Sequence, residues 1–238
     1  MAKDDQEIEL RDAADPDPDP HAEAMSPADL VLRMEYIALA QGIDLGDVRA
    51  VAGMVAGAEV STDRGEVRVA PQREGPTARV SIHGIGIFVW SEGWTNDLVA
   101  AVAVAGLWRR GSSLRELHAH HPFMSCSELA LAFEEGDPAP TKWRQLLCSG
   151  WHLERCQFLP AAYAHPELRM FCPDVSMGSL ILSRKPFDWA AGLVKITPLE
   201  AGHYRVGSTW PVASVHEVSS LHEALEVAAA RLRSLSEA

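Results

Sequence analysis

Between Tyr163 and Arg184 the sequence YAHPELRMFCPDVSMGSLILSR gathers groups that can move protons and hold anions. His165 is the natural general acid or base, because imidazole titrates near neutrality, and Tyr163 is a second proton donor. Arg169 and Arg184 carry guanidiniums suited to a substrate anion or a developing oxyanion. Arg169 follows His165 by four residues, which on an unbroken helix puts both on one face. Ser176 and Ser179 add hydroxyls around the turn into the apolar strand that Gly178 opens. The chemistry this set suggests is acid–base work without a bound organic cofactor.

Three other groupings compete with it. Cys148, His152 and Cys156 stand at i, i+4 and i+8, one face of a continuous helix and a fair start for a soft divalent metal. Gly150 interrupts that helix and no second ligand pair is placed, so the alternative is two small thiols and a histidine donating to a carbonyl, and no metal is expected. His118, His120 and His121 precede Pro122; as a helix end they read either as ligands and bases or as groups satisfying exposed carbonyls. Trp94, Trp189 and Trp210 sit beside loops, where they would line an apolar groove for a peptide or small-molecule ligand, or simply pack at the rim. No GxSxG elbow or phosphate loop occurs, and Gly84-Ile85-Gly86 lies in a strand-like run without the helix a dinucleotide fingerprint requires.

The elements that must position these groups follow from periodicity and punctuation. Ser26-Pro27 starts a helix over about 27–41 that Gly42 ends, and a shorter helical piece is expected within 42–54. The period then changes to two through AEVST, EVRVA and ARVSIHGIGIFVW, a three-stranded meander. Thr95 caps a helix from Asn96 to Arg110, Ser112 or Ser113 starts LRELHAHH, Ser125 or Ser127 starts ELALAFEE, and Thr141 starts KWRQLLC. Residues 151–171 read as helix broken by Pro160 and Pro166, and Cys172–Met177 as a turn. Strands GSLILSR, LVKITPL, HYRVGST and VASVHEV lead to a final amphipathic helix over about 221–235. The fold class is therefore α+β: two short antiparallel meanders, each followed by a helix, around a helical middle. The order common to both ends raises an internal duplication, against the plainer reading that such units are frequent. A single domain over 26–238, divisible into halves near 26–122 and 123–238, fits the length.

Composition narrows the partners. The net charge is −12, and nine acids against Lys3 and Arg11 concentrate −7 of it in residues 1–24, where DPDPDP cannot pack; residues 1–25 read as a disordered acidic tail. An acidic body without a basic stripe argues against nucleic acid and against anionic membrane surfaces. The longest apolar run, Leu98–Trp108, is about half of the roughly 20 residues needed to cross a bilayer. MAKDDQEIELRD lacks the basic and apolar regions of a secretory signal, which points to the cytoplasm and to free thiols for the four cysteines.

The blocks WTNDLVAAVAVAGLWRRGSSLRELHAHHPF, TKWRQLL and AAYAHPELRMFCPDVSMGSLILSR resemble, in order and over roughly residues 90–210, an uncharacterised actinobacterial protein family encoded near natural-product biosynthesis genes. The positions that carry the likeness are Tyr163, His165, Pro166, Leu168, Arg169, Gly178, Ser179, Leu180, Ser183 and Arg184. Where that family has an aromatic or threonine-rich turn, this chain has Cys172–Met177. The resemblance implies a pathway protein and supplies no catalytic residues. Two functions are then expected. One is a tailoring or cyclising enzyme for a peptide or carrier-bound intermediate, with His165, Tyr163, Arg169 and Arg184 catalytic and Trp94, Trp189, Trp210, Ser176 and Ser179 binding substrate. The other is a non-catalytic partner of a precursor peptide or of another biosynthetic enzyme.

Overall fold

The computed structural model describes residues 25–53, 56–72, 77–84, 88–184, 192–208 and 213–237. The acidic arm before Met25 lies outside them, as do Trp189 and Trp210. Among the described residues there are two antiparallel sheets, of six and five strands, and eight α-helices, a mixed α+β fold.

The first helix, α1 (Pro27–Gln41), starts where Ser26 accepts a hydrogen bond from the Asp29 amide and stops at Gly42, whose φ of 65° closes the helix in the left-handed region. The stretch expected to continue as helix instead holds β1 (Val48–Val51), a correction explained by its pairing with β2 (Gly57–Thr62), which recruits a segment too short to announce itself. Next come β3 (Gly65–Pro71), β4 (Ala78–His83) and β5 (Val89–Thr95), each antiparallel to its predecessor. The run read as one strand through His83 to Trp90 is thus two, with a register irregularity at Ile82/His83. Asp97, rather than Thr95, caps α2 (Leu98–Arg109). Ser113 and Glu116 form a reciprocal capping box on α3 (Leu114–His120), and β6 (Met124–Cys126) and α4 (Glu128–Glu134) complete this half.

The inward side chains of β2, β3 and β4 bury Val60, Val67, Val69, Val80 and Ile82 against α1 and α2, around Met34, Val102 and the fully buried Trp108. The other face of this sheet is polar in a regular way. Arg49, Glu59, Arg68, Ser81, Glu92 and Ser125 are successive cross-strand partners, one from each of the six strands. Glu59 is only 1% exposed because Arg49 and Arg68 close over it, and Arg68 also bonds Glu66. Burial pushes the Glu59 carboxyl up, but hydrogen bonds from the two arginines outweigh this and hold it below the usual carboxylate range.

The second half opens with α5 (Ala139–Cys148), which begins at Ala139-Pro140 and so takes Thr141 into its first turn, not before it. Next are α6 (Gly150–Arg155), α7 (Leu159–Ala164) and a 3-10 turn, Leu168–Met170. The segment read as a turn at Cys172 is a strand, β7 (Cys172–Ser176). It is an edge strand, which is why Pro173 is tolerated, and Met177-Gly178 make the tight turn into β8 (Ser179–Ser183). Then β9 (Leu193–Pro198), β10 (Tyr204–Ser208) and β11 (Ser214–Val218) extend the sheet in chain order, and α8 (Leu221–Glu237) packs back on it. Trp143, Leu159, Leu168, Leu180, Leu182, Val194, Ile196 and Val206 meet Ala224, Ala228 and Leu232 of α8 in a second core.

Candidate functional site

His165 stands where α7 ends. Its backbone is extended (φ −71°, ψ 121°), and a 3.3 Å bond from the Arg169 amide to its carbonyl spans the break before the 3-10 turn. The Glu167 N–H donates to His165 Nδ1 at 3.3 Å, which leaves the proton on Nε2, facing Glu226 Oε1 of α8 at 3.3 Å. The imidazole side chain is 12% exposed and both of its nitrogens are engaged. Glu167 pairs with Arg233, two turns further along α8, so the His-Pro-Glu corner is a double latch onto the last helix.

The other sequence-predicted groups disperse around this corner. Tyr163 is exposed, its ring 5.5 Å from that of Trp143, whose indole N–H is spent on the Phe171 carbonyl at 3.0 Å. Arg169 is exposed on the 3-10 turn; Arg184, also exposed, follows Ser183, whose cross-strand partner is Cys172. Ser176 is exposed at the end of β7, whereas Ser179 is 2% exposed and shares a 3.0 Å hydrogen bond with Thr197. Trp94 belongs to the other sheet, half-exposed on its polar face opposite Arg79. The tryptophan groove can therefore be placed only through Trp94, since Trp189 and Trp210 are not among the described residues.

Two of the thiols are buried and poor nucleophiles, and in the histidine string His118 has a structural role. Burial pushes the Cys156 thiol up to about 12 and that of Cys172 to about 11. Cys148 ends α5, His152 lies within α6 and Cys156 follows it, so the three do not share one helical face. Among the described residues no group of three or more His, Cys, Asp or Glu side chains is placed to hold a metal ion. His118 Nδ1 donates to the Met124 carbonyl at 2.6 Å, pinning β6, and burial holds the His121 imidazole below its ordinary pKa.

A cleft of about 320 Å³ opens one helical turn from the His165–Glu226 pair. It lies between the α6–α7 corner and the start of α8, with Glu154, Arg155 and Gln157 at the rim and Phe158, Ala161, Pro198, Tyr204 and Leu221 as walls. Phe158 and Tyr204 meet edge to face at 5.7 Å, an apolar floor with a phenol at its margin. The Arg155 guanidinium rests on the face of Trp151, 4.2 Å from the ring centre, and is exposed for a further partner. This size suits one or two residues of a peptide or a small molecule. Sequence reasoning missed these residues because they come from five elements, α6, α7, β9, β10 and α8, and the turn before α7; Tyr204 and Leu221, at the starts of strand and helix patterns, carried no local sign of a shared wall.

Comparison with known proteins adds one finding. Residues 139–234 match a family of unknown function, DUF6193. The match begins with α5 and ends within α8, so it coincides with the second core and contains both the cleft and the His165–Glu226 latch. No curated protein matches the chain, and no solved structure does.

Proposed function

We propose that this is a cytoplasmic protein of natural-product biosynthesis whose 139–234 unit binds a short segment of a peptide intermediate. The observation that carries the reading is the cleft: an aromatic floor of Phe158 and Tyr204 beneath one exposed guanidinium, Arg155, and one exposed carboxylate, Glu154. An apolar floor takes a side chain, and opposite charges at the rim take the ends or charged neighbours of a peptide. The resemblance to proteins encoded beside biosynthetic genes supplies the context. In this reading the protein presents a precursor to a modifying enzyme.

A second reading keeps the chemistry in this chain. It rests on the carboxylate-oriented imidazole of His165, one turn from the cleft, with Tyr163 as a second donor and Arg169 and Arg184 as anion holders, and it makes the protein a tailoring or cyclising enzyme. The engagement of both ring nitrogens favours the binding reading, because a base needs one nitrogen directed at substrate.

Titration calorimetry with short synthetic peptides that pair an aromatic residue with a terminal carboxylate tests the proposal. Tyr204→Ala and Arg155→Met should each weaken binding at least about tenfold, the loss of one buried aromatic or charge-assisted contact. Equal affinity in both variants removes the cleft from the account. His165→Ala separates the two readings: unchanged peptide affinity with metabolite production abolished establishes the enzyme, and unchanged production removes His165 as acid or base.

A further inference from the structure

We propose that Ser81, 5% exposed among the charged side chains of the polar face of the six-stranded sheet, and His83 form an acyl-transfer site, with Ser81 as nucleophile and His83 as its base, acting on small esters with an apolar acyl group.

The placement follows from strand geometry. Val80 and Ile82 of β4 point into the core, so Arg79, Ser81 and His83 stand together on the opposite face. Ser81 Oγ lies 2.8 Å from His83 Nε2, the contact a hydroxyl needs to lose its proton to imidazole. The cross-strand neighbours complete the surroundings: Arg68 opposite Ser81 on one side, Glu92 on the other, and Glu66 opposite His83. The Glu66 carboxylate is bonded to Arg68 at 3.0 Å and Arg49 at 3.4 Å, and acts on His83 through its charge.

Two further observations separate this set from a self-satisfied hydrogen bond. Arg79 gives one terminal nitrogen to Glu92, while its Nε is covered and has no acceptor among the described residues, an unsatisfied donor two residues from the nucleophile. Burial, followed by the positive charges of Arg68 and Arg79, holds His83 below its ordinary pKa against the opposing pull of Glu66 and Glu59, which favours the neutral ring whose free nitrogen can accept the serine proton. Trp94, half-exposed and directly opposite Arg79, offers an aromatic surface for the acyl group.

The step balances with water as the only co-reactant. Ser81 Oγ bonds to the acyl carbon as its proton passes to His83 Nε2, and the carbonyl electron pair moves onto oxygen beside Arg79. That pair returns as the carbon–oxygen bond to the alcohol breaks, and the departing alkoxide takes the proton from His83. Water then attacks the acyl-serine, giving its proton to His83, and Ser81 leaves and is reprotonated. The net change is ester plus water to acid plus alcohol.

Incubation of the full-length protein with a fluorophosphonate, followed by intact mass and peptide mapping, should give one adduct per chain on the peptide containing Ser81. p-Nitrophenyl acetate should give a burst of nitrophenolate. Ser81→Ala should abolish both, and His83→Gln should slow labelling by about a hundredfold, the ordinary contribution of a general base. Glu66→Gln should move the pH midpoint of acylation downward, since its charge raises the His83 pKa. Ser81→Cys, with its melting point unchanged, should be alkylated by iodoacetamide ahead of Cys156 and Cys172. An unlabelled wild-type chain, an adduct that persists in Ser81→Ala, labelling of His83→Gln at the wild-type rate, or a Ser81→Cys thiol that resists iodoacetamide each overturns the site. An unmoved midpoint in Glu66→Gln removes Glu66 from it.

Discussion

Met177 holds φ at 50° and Gly178 at 77°, so both central residues of the β7–β8 hairpin lie in the left-handed region, as a type I′ turn requires. Glycine adopts this freely; methionine pays about 1 kcal/mol for it, and its side chain, 95% exposed, recovers nothing by packing. Met177→Asn should therefore raise stability by about 0.5–1 kcal/mol, a rise of roughly 1–4 °C in the melting temperature of a chain this size. A lower melting point would show that Met177 is held for contacts outside this chain. Glu59 makes the opposite case at the same scale. Glu59→Gln leaves Arg49 and Arg68 facing each other over a neutral amide and should cost about 1–2 kcal/mol at neutral pH, less than a fully buried pair because both arginines reach solvent. Since the folded state holds this carboxyl below its ordinary pKa, its contribution is present above the ordinary carboxylate range and fades as pH falls through the depressed value. Denaturant midpoints of wild type and Glu59→Gln should accordingly converge in acid, and a gap independent of pH would mean that Glu59 acts through shape alone. The sequence displayed His165 through its proline and Arg169 through its spacing, but Glu226, the partner that fixes the imidazole, lies 61 residues downstream and has no local mark.

Where punctuation and period agree, as in α1 between Ser26-Pro27 and Gly42, the element was legible to the residue. The segments that sequence reasoning missed, β1, β6 and β7, have four, three and five residues. Each is a strand because a neighbour offers it hydrogen bonds, a tertiary cause that overrides weak local preference. Conflict between local preference and packing is measurable at Gly106 in the middle of α2. Helix propensity alone says that alanine there should stabilise by about 1 kcal/mol. A Cβ at that position would lie well inside contact distance of the Ile43 side chain, which packs against the helix from the α1–β1 connection. Overpacking of this kind costs about 1–3 kcal/mol, so Gly106→Ala should be net destabilising by about 1 kcal/mol in chemical denaturation. Ile43→Val in the same chain should recover part of the loss; a Gly106→Ala variant as stable as wild type would show that the α1–α2 contact is looser than its geometry indicates.

Each sheet has its own helix covering, and each buried cluster is drawn from one stretch of chain, Leu30–Ala130 for the first and Trp143–Leu232 for the second. The chain passes between them at Gly136-Asp137-Pro138, with Gly136 in the left-handed region. The contact across this point includes packing of α4 on α5 and an ion pair of Arg144 with Glu128, both partners of which are more than half exposed and which therefore contributes less than about 1 kcal/mol. The order of helix, five strands in sequence and long helix recurs in both halves, α1 to α2 and α7 to α8. From a core drawn from one stretch of chain and a family match that starts at Ala139, we predict that residues 137–238 fold on their own. That fragment, expressed alone, should show cooperative thermal unfolding by circular dichroism and bind the same aromatic peptides as the full chain within about threefold. It should show no phosphonate labelling, because Ser81 is absent from it. Peptide binding confined to the full-length protein would place part of the cleft's organisation in the first half, and a fragment without a cooperative transition would make the two cores one folding unit despite their separate composition.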